Sequence, residues 1–123
     1  MKKLIITFIS FLFLSGQGAV NAQADMRKVL TVSDSLSRGV ANAINAGDYI
    51  QAQQLGEQNV KLLKKSIIED NEFTAKGLHL LAKAYATTGN WNAAWKNADA
   101  SAKMWKSLYS AGNLNYAMAL GDA

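Results

Sequence analysis

No cysteine and no proline occur among the 123 residues, and histidine occurs once, as His79. Without thiols there is no disulfide framework, no thiolate metal site and no cysteine nucleophile. The lack of proline removes the usual helix breaker and favours long helices joined by short Gly/Asn corners. Catalytic signatures are missing as well. There is no HExxH, no GxSxG, no P-loop and no dinucleotide fingerprint. A serine triad would depend wholly on His79, which nothing in the sequence positions. The nine acidic residues could supply an acid/base pair in principle. Four of them, Asp48, Glu69, Asp70 and Glu72, fall at predicted corners, where they cap helices or favour helix N-termini. Asp70, Glu72 and His79 do not have the spacing of a metal-binding loop. The expectation is a protein without catalysis, cofactor or metal.

What is present starts with a basic and then apolar N-terminus. Lys2 and Lys3 precede a run from Leu4 to Leu14, followed by Ser15, Gly16, Gln17 and Gly18. A positive end, a short apolar stretch and a small-residue exit predict a secretory signal peptide over residues 1–22. Val20-Asn21-Ala22 allows cleavage after Ala22, and Ala22-Gln23-Ala24 allows it after Ala24. The run is too short for a membrane span of about 20 apolar residues, and no cysteine follows it to carry a lipid. The expected location is periplasmic or secreted. Loss of residues 1–22 takes Lys2 and Lys3 with it and lowers the net charge from +4 to +2. That is no nucleic-acid footprint, so no nucleic-acid partner is expected, and any membrane contact would come through an uncleaved signal segment.

The remaining chain, residues 25–121, reads as one all-α domain. Apolar residues recur at Val29, Val32, Leu36, Val40, Ala43 and Ile44, one face of a helix. Gly47 ends it, and Asp48 with Gln51 predicts a capping box for a second helix over roughly 49–69. A polar corner, Glu69-Asp70-Asn71-Glu72, precedes a third helix near 73–88 with Leu78, Leu81, Ala82 and Tyr85 on its apolar face. Gly89 stops it and Asn90 caps a fourth helix carrying Trp91, Ala94, Trp95, Ala98, Ala102, Trp105, Leu108 and Tyr109. After an Ala111-Gly112-Asn113 corner, Leu114–Leu120 predicts a short capping helix. No segment alternates with period 2, so no sheet is expected.

The two inner corners match. Gly47-Asp48-Tyr49 leads to Ala52, and Gly89-Asn90-Trp91 leads to Ala94, with an offset of 42 residues at each position. A helical hairpin used twice is implied, each copy covering the apolar face of the other. The stretch Leu78, Leu81-Ala82, Tyr85, Gly89, Trp91, Ala94, Ala98 resembles the tetratricopeptide repeat. Leu36, Val40, Ala43, Gly47, Tyr49, Ala52 and Gly56 resemble it more weakly. Together the two stretches reach over roughly residues 33–109. The resemblance implies two stacked antiparallel helical hairpins plus the short C-terminal cap. The departures are a period longer than the family's 34 residues by about two helical turns, no closing proline, and Gly39 where a leucine is usual.

Lys76, His79 and Lys83, at i, i+3 and i+7, form a stripe away from the apolar face of the third helix. By resemblance, the first helix of each hairpin lines a concave groove. The stripe would be one wall, and Ser37, Ala41 and Asn45 the matching wall. Such a groove suits an extended acidic peptide or a C-terminal carboxylate. Trp91 is expected between the hairpins. Trp95 and Trp105 exceed what two hairpins bury and are candidates for contact with another chain, a homo-oligomer included. The expected function is an exported adaptor that binds a protein or peptide. Two other readings stand beside it. One is a small bundle holding an apolar ligand among Gly56, Ala82, Ala94 and Ala98. The other is a hydrolase built on His79 or a carboxylate pair.

Overall fold

The computed structural model describes residues 15–112, with side chains from 24 to 110. It contains four helices, α1 (Ser15–Ala46), α2 (Tyr49–Ser66), α3 (Glu72–Thr87) and α4 (Trp91–Gly112), and no strand among the described residues. The charged and apolar stretch of the expected signal, residues 1–14, and the expected helix Leu114–Leu120 lie outside the described residues. Helix α1 begins fourteen residues before Val29, so the expected cleavage positions after Ala22 and Ala24 fall within it.

The hairpin corners follow from their sequences. Gly47 (φ 81°) and Gly89 (φ 76°) hold left-handed backbones, which glycine adopts without a steric penalty. Asp48 accepts from the Gln51 amide at 3.3 Å, and Asn90 accepts from the Ala93 amide at 3.4 Å. The expected capping box is only half made. The Asp48 amide donates to the Ala43 carbonyl at 2.8 Å, which closes the turn from the helix before it and leaves nothing for the Gln51 side chain to cap. Helix α2 stops at Ser66, three residues short of the expected end, because Ile67 turns extended (φ −127°, ψ 104°). Asn71 starts α3, accepting from the Thr74 amide at 2.7 Å.

Helix α1 packs on α2, α2 on α3 and α3 on α4, and α1 also reaches α3; α4 contacts neither α1 nor α2. The two hairpins are therefore joined through α3 and do not close into a four-helix bundle. One core cluster, Val40, Ala43, Ala52 and Ala84, lies near the corners. A second, Val60, Leu78 and Leu81, continues along α3 toward α4. Helix α3 contributes to both, which is why seven of its sixteen residues are buried. Tight approach of α2 to α3 depends on Gly56, where a Cβ would lie 2.9 Å from Leu81 Cδ1.

Buried polar residues stand where the apolar pattern did not place them. Asn59 and Ser33 are both nearly inaccessible. Ser33 Oγ donates to Asn59 Oδ1 at 2.5 Å, and Asn59 Nδ2 donates to Ser37 Oγ at 3.1 Å. A latch thus ties α1 to α2, with every buried group partnered as burial requires. Forty-two residues on, Ser101 stands for Asn59 and Ala75 for Ser33, and Ser101 Oγ donates to the Ala75 carbonyl at 2.7 Å. The cross-helix polar contact recurs in the register of the corners. Val32, by contrast, is 44% exposed. Ser33 occupies the core position expected of it, because α1 meets only α2 and α3 and its buried face is narrow.

Candidate functional site

An open groove of about 790 Å³ runs along α3 between α1 and α4. Its floor is Phe73, Lys76, His79, Leu80 and Lys83 of α3. One wall is Leu30, Ser33, Asp34 and Ser37 of α1, and the other is Ala98, Ser101, Ala102 and Trp105 of α4. The groove exists because α1 and α4 both pack on α3 without meeting each other.

The expected stripe is here in full. Lys76, His79 and Lys83 are exposed and lie on the floor, Ser37 on the α1 wall and Trp105 on the α4 wall. Ala41 and Asn45 do not belong to it. The groove follows α1 only from Leu30 to Ser37, and those two residues lie one and two turns nearer the Gly47 corner, exposed. The resemblance pointed along the whole helix face, whereas α4 walls off only part of it.

Charge in the groove is more mixed than the stripe implied. Lys76 Nζ lies 4.0 Å from Glu72 Oε1, one turn back on α3. Asp34, a wall residue the sequence reading did not single out, pairs with Arg38 at 3.1 Å. Asp34 and Lys76 are 42 residues apart, so the repeat register marks the position, although the charge is reversed. Both pairs are exposed and of the i,i+4 kind, worth about 0.3–0.5 kcal/mol each. Lys83 has no ion partner among the described residues and is the cation the groove offers without competition.

A second, shallower cleft of about 420 Å³ adjoins the first and shares His79, Lys83 and Ala98 with it. Ala82, Ala86, Trp91, Ala94 and Trp95 complete its lining. Trp91 is 68% exposed and Trp95 75%. The expectation that Trp91 packs between the hairpins is therefore corrected. It follows the Gly89 corner into the open cleft between α3 and α4, and the hairpins meet through α2 and α3. Trp95 is open to solvent, and Trp105 is half-buried with its ring stacked on Tyr109 at 5.2 Å.

Of the small residues considered for an apolar ligand, Gly56, Ala82 and Ala94 are buried in helix contacts, and Ala98 lines the groove instead of the interior. Gly56 in particular is filled by Leu81, whereas Ala82, Ala94 and Ala98 border the shallow cleft beside Trp91 and Trp95. Among the described residues no three His, Asp or Glu side chains are placed to hold a metal, and no helix is long and apolar enough to cross a membrane. One acid–base contact joins the hairpins behind the groove, where the Tyr85 hydroxyl donates to the Glu57 carboxylate. Burial first, then that bond and the neighbouring charge, push the Tyr85 phenol up to about 12.

Comparison of the chain with protein-family models, with curated proteins and with solved structures finds no match.

Proposed function

We propose that the chain is a non-catalytic interaction module, exported to the periplasm or secreted, whose groove along α3 binds an extended acidic segment of a partner protein. The observation that carries this reading is the placement of Lys83, without an ion partner among the described residues, beside His79 and Lys76 on the floor of an open groove with apolar residues at both walls. A carboxylate meets a charge-assisted donor there, while Leu30, Phe73, Leu80 and Trp105 take up apolar side chains on either side. The tetratricopeptide resemblance supports the same reading through the order of helix contacts, in which the first helices of the two hairpins touch and the fourth helix meets only the third. The 42-residue recurrence of corners and polar latch supports a duplicated hairpin. Export rests on the N-terminal pattern of Lys2, Lys3 and the run from Leu4 to Leu14.

The test is capture of partners from periplasmic extract by the native protein and by Lys76→Glu/Lys83→Glu, followed by titration of an acidic peptide from the captured protein. Trp105 provides a fluorescence signal inside the groove. Charge reversal is expected to weaken binding by ten-fold or more, about 1.4 kcal/mol. Equal affinity of the two proteins would remove the groove from the site.

A further inference from the structure

We propose that this protein associates head to tail with copies of itself, the α2–α3 loop of one copy seating in the Trp91/Trp95 cleft of the next. The loop from Ile67 to Asn71 presents Ile68, 91% exposed, directly before Glu69 and Asp70. Burying this side chain against a partner would be favourable by about 1.5–3 kcal/mol. Neither Glu69 nor Asp70 has an ion partner among the described residues. The cleft offers the complement. Its apolar lining between Ala86 and Trp95 takes the isoleucine, and Lys83 at its rim, also without an ion partner, meets the carboxylates.

A chain cannot satisfy this pairing internally. The loop precedes the first turn of α3, while the cleft lies against Ala82 and Ala86 in its second half, about 15–20 Å away along the helix axis at 1.5 Å per residue. Donor and acceptor therefore face opposite ends of the molecule. A pairing of two different surfaces is heterologous, so copies add in a row unless the rotation closes a ring. A loop in a shallow cleft is a contact at the small end of protein interfaces, and the assembly depends on concentration accordingly.

Sedimentation velocity of the purified protein between about 5 and 500 µM tests this. The average mass is expected to rise beyond that of a dimer. Ile68→Glu and Trp95→Glu, both at exposed positions that leave the fold intact by circular dichroism, should each shift the rise to concentrations at least ten-fold higher. Mixing the two variants should restore association but stop at a one-to-one dimer, because one retains only the cleft and the other only the loop. Lys83→Glu should weaken assembly, and Glu69→Lys/Asp70→Lys on the loop should recover it in a mixture. Lys76→Glu, on the groove floor outside the cleft, should leave assembly unchanged, which separates this contact from partner binding in the groove. A monomer over the whole range overturns the proposal. So does association that survives both single variants, or a mixture that stays monomeric.

Discussion

The α1–α2 and α3–α4 hairpins share a register of 42 residues yet differ in what covers their second helix. On α2, Gly56, Val60 and Leu63 are buried, and all three approach α3, Gly56 through Leu81 and the other two around Gly77. Their counterparts on α4 are Ala98, Ala102 and Trp105, which line the open groove. The same helix face is thus core in one copy and surface in the other. What distinguishes them is a third helix packed on α2 and none contacting that face of α4 among the described residues. The groove is lined by the helix face that in the other hairpin is packed against α3.

The sharpest way to break this comparison is to truncate the equivalent pair. Leu63 is fully buried, and Leu63→Ala should cost about 2–5 kcal/mol. Trp105→Ala removes a larger side chain, but one that is only half-buried and stacked on Tyr109, so about 1–2 kcal/mol is expected. Urea unfolding of both variants checks this, and equal costs would mean that the α4 face is as covered as that of α2. The polar latches give the next contrast. Asn59→Ala strips partners from Ser33 and Ser37 and leaves Ser33 buried without its acceptor, for about 2–3 kcal/mol. Ser101→Ala loses one bond to a carbonyl that also belongs to a helix, for about 1 kcal/mol. A reversed order of these two would show that the latches are not equivalent.

These pairs also mark what the sequence made legible. The corners were plain, because Gly47 and Gly89 followed by Asp48 and Asn90 state both a left-handed stop and a cap. The helix order and the stripe of Lys76, His79 and Lys83 followed from period and spacing, while its place beside a groove was implied only by the resemblance. The latch was not visible. A search for apolar residues every three to four positions passes over Ser33 and Asn59, and polar side chains enter a core only when a partner on another helix satisfies them. The same blindness moved Val32 into the core in place of its neighbour. Trp91 was misplaced for a related reason: hydrophobicity does not say which side of a corner a ring leaves on. Asp34 was missed because its counterpart Lys76 carries the opposite charge, and only the repeat offset links them.

The corners themselves should respond alike. A Cβ at Gly47 or at Gly89 would touch nothing within 4 Å, so the cost of alanine there is that of a left-handed backbone alone, about 1–2 kcal/mol. Gly47→Ala and Gly89→Ala are expected to lower the melting temperature by similar amounts. A large difference would mean that one corner carries tertiary load which the other lacks, and the register would then describe sequence more than structure.

The smallest expected effect sits where the copies are not equivalent at all. Tyr85 corresponds to Ala43, and its hydroxyl donates across the hairpin boundary to Glu57 on α2. Because folding raises the phenol from 10.0 to about 12, the neutral form is favoured in the native state. The resulting stabilisation is complete below pH 10 and is lost as pH rises toward 12. Tyr85→Phe keeps the ring and removes the bond, so it should cost about 0.5–1 kcal/mol at pH 8. The gap between variant and native protein should close as pH rises from 10 to 12, when the native phenol ionises beside a carboxylate. Denaturant unfolding at pH 8, 10 and 11.5 reads this directly. No gap at any pH would show that Tyr85 joins the hairpins by packing of its ring alone, with nothing contributed by the hydroxyl.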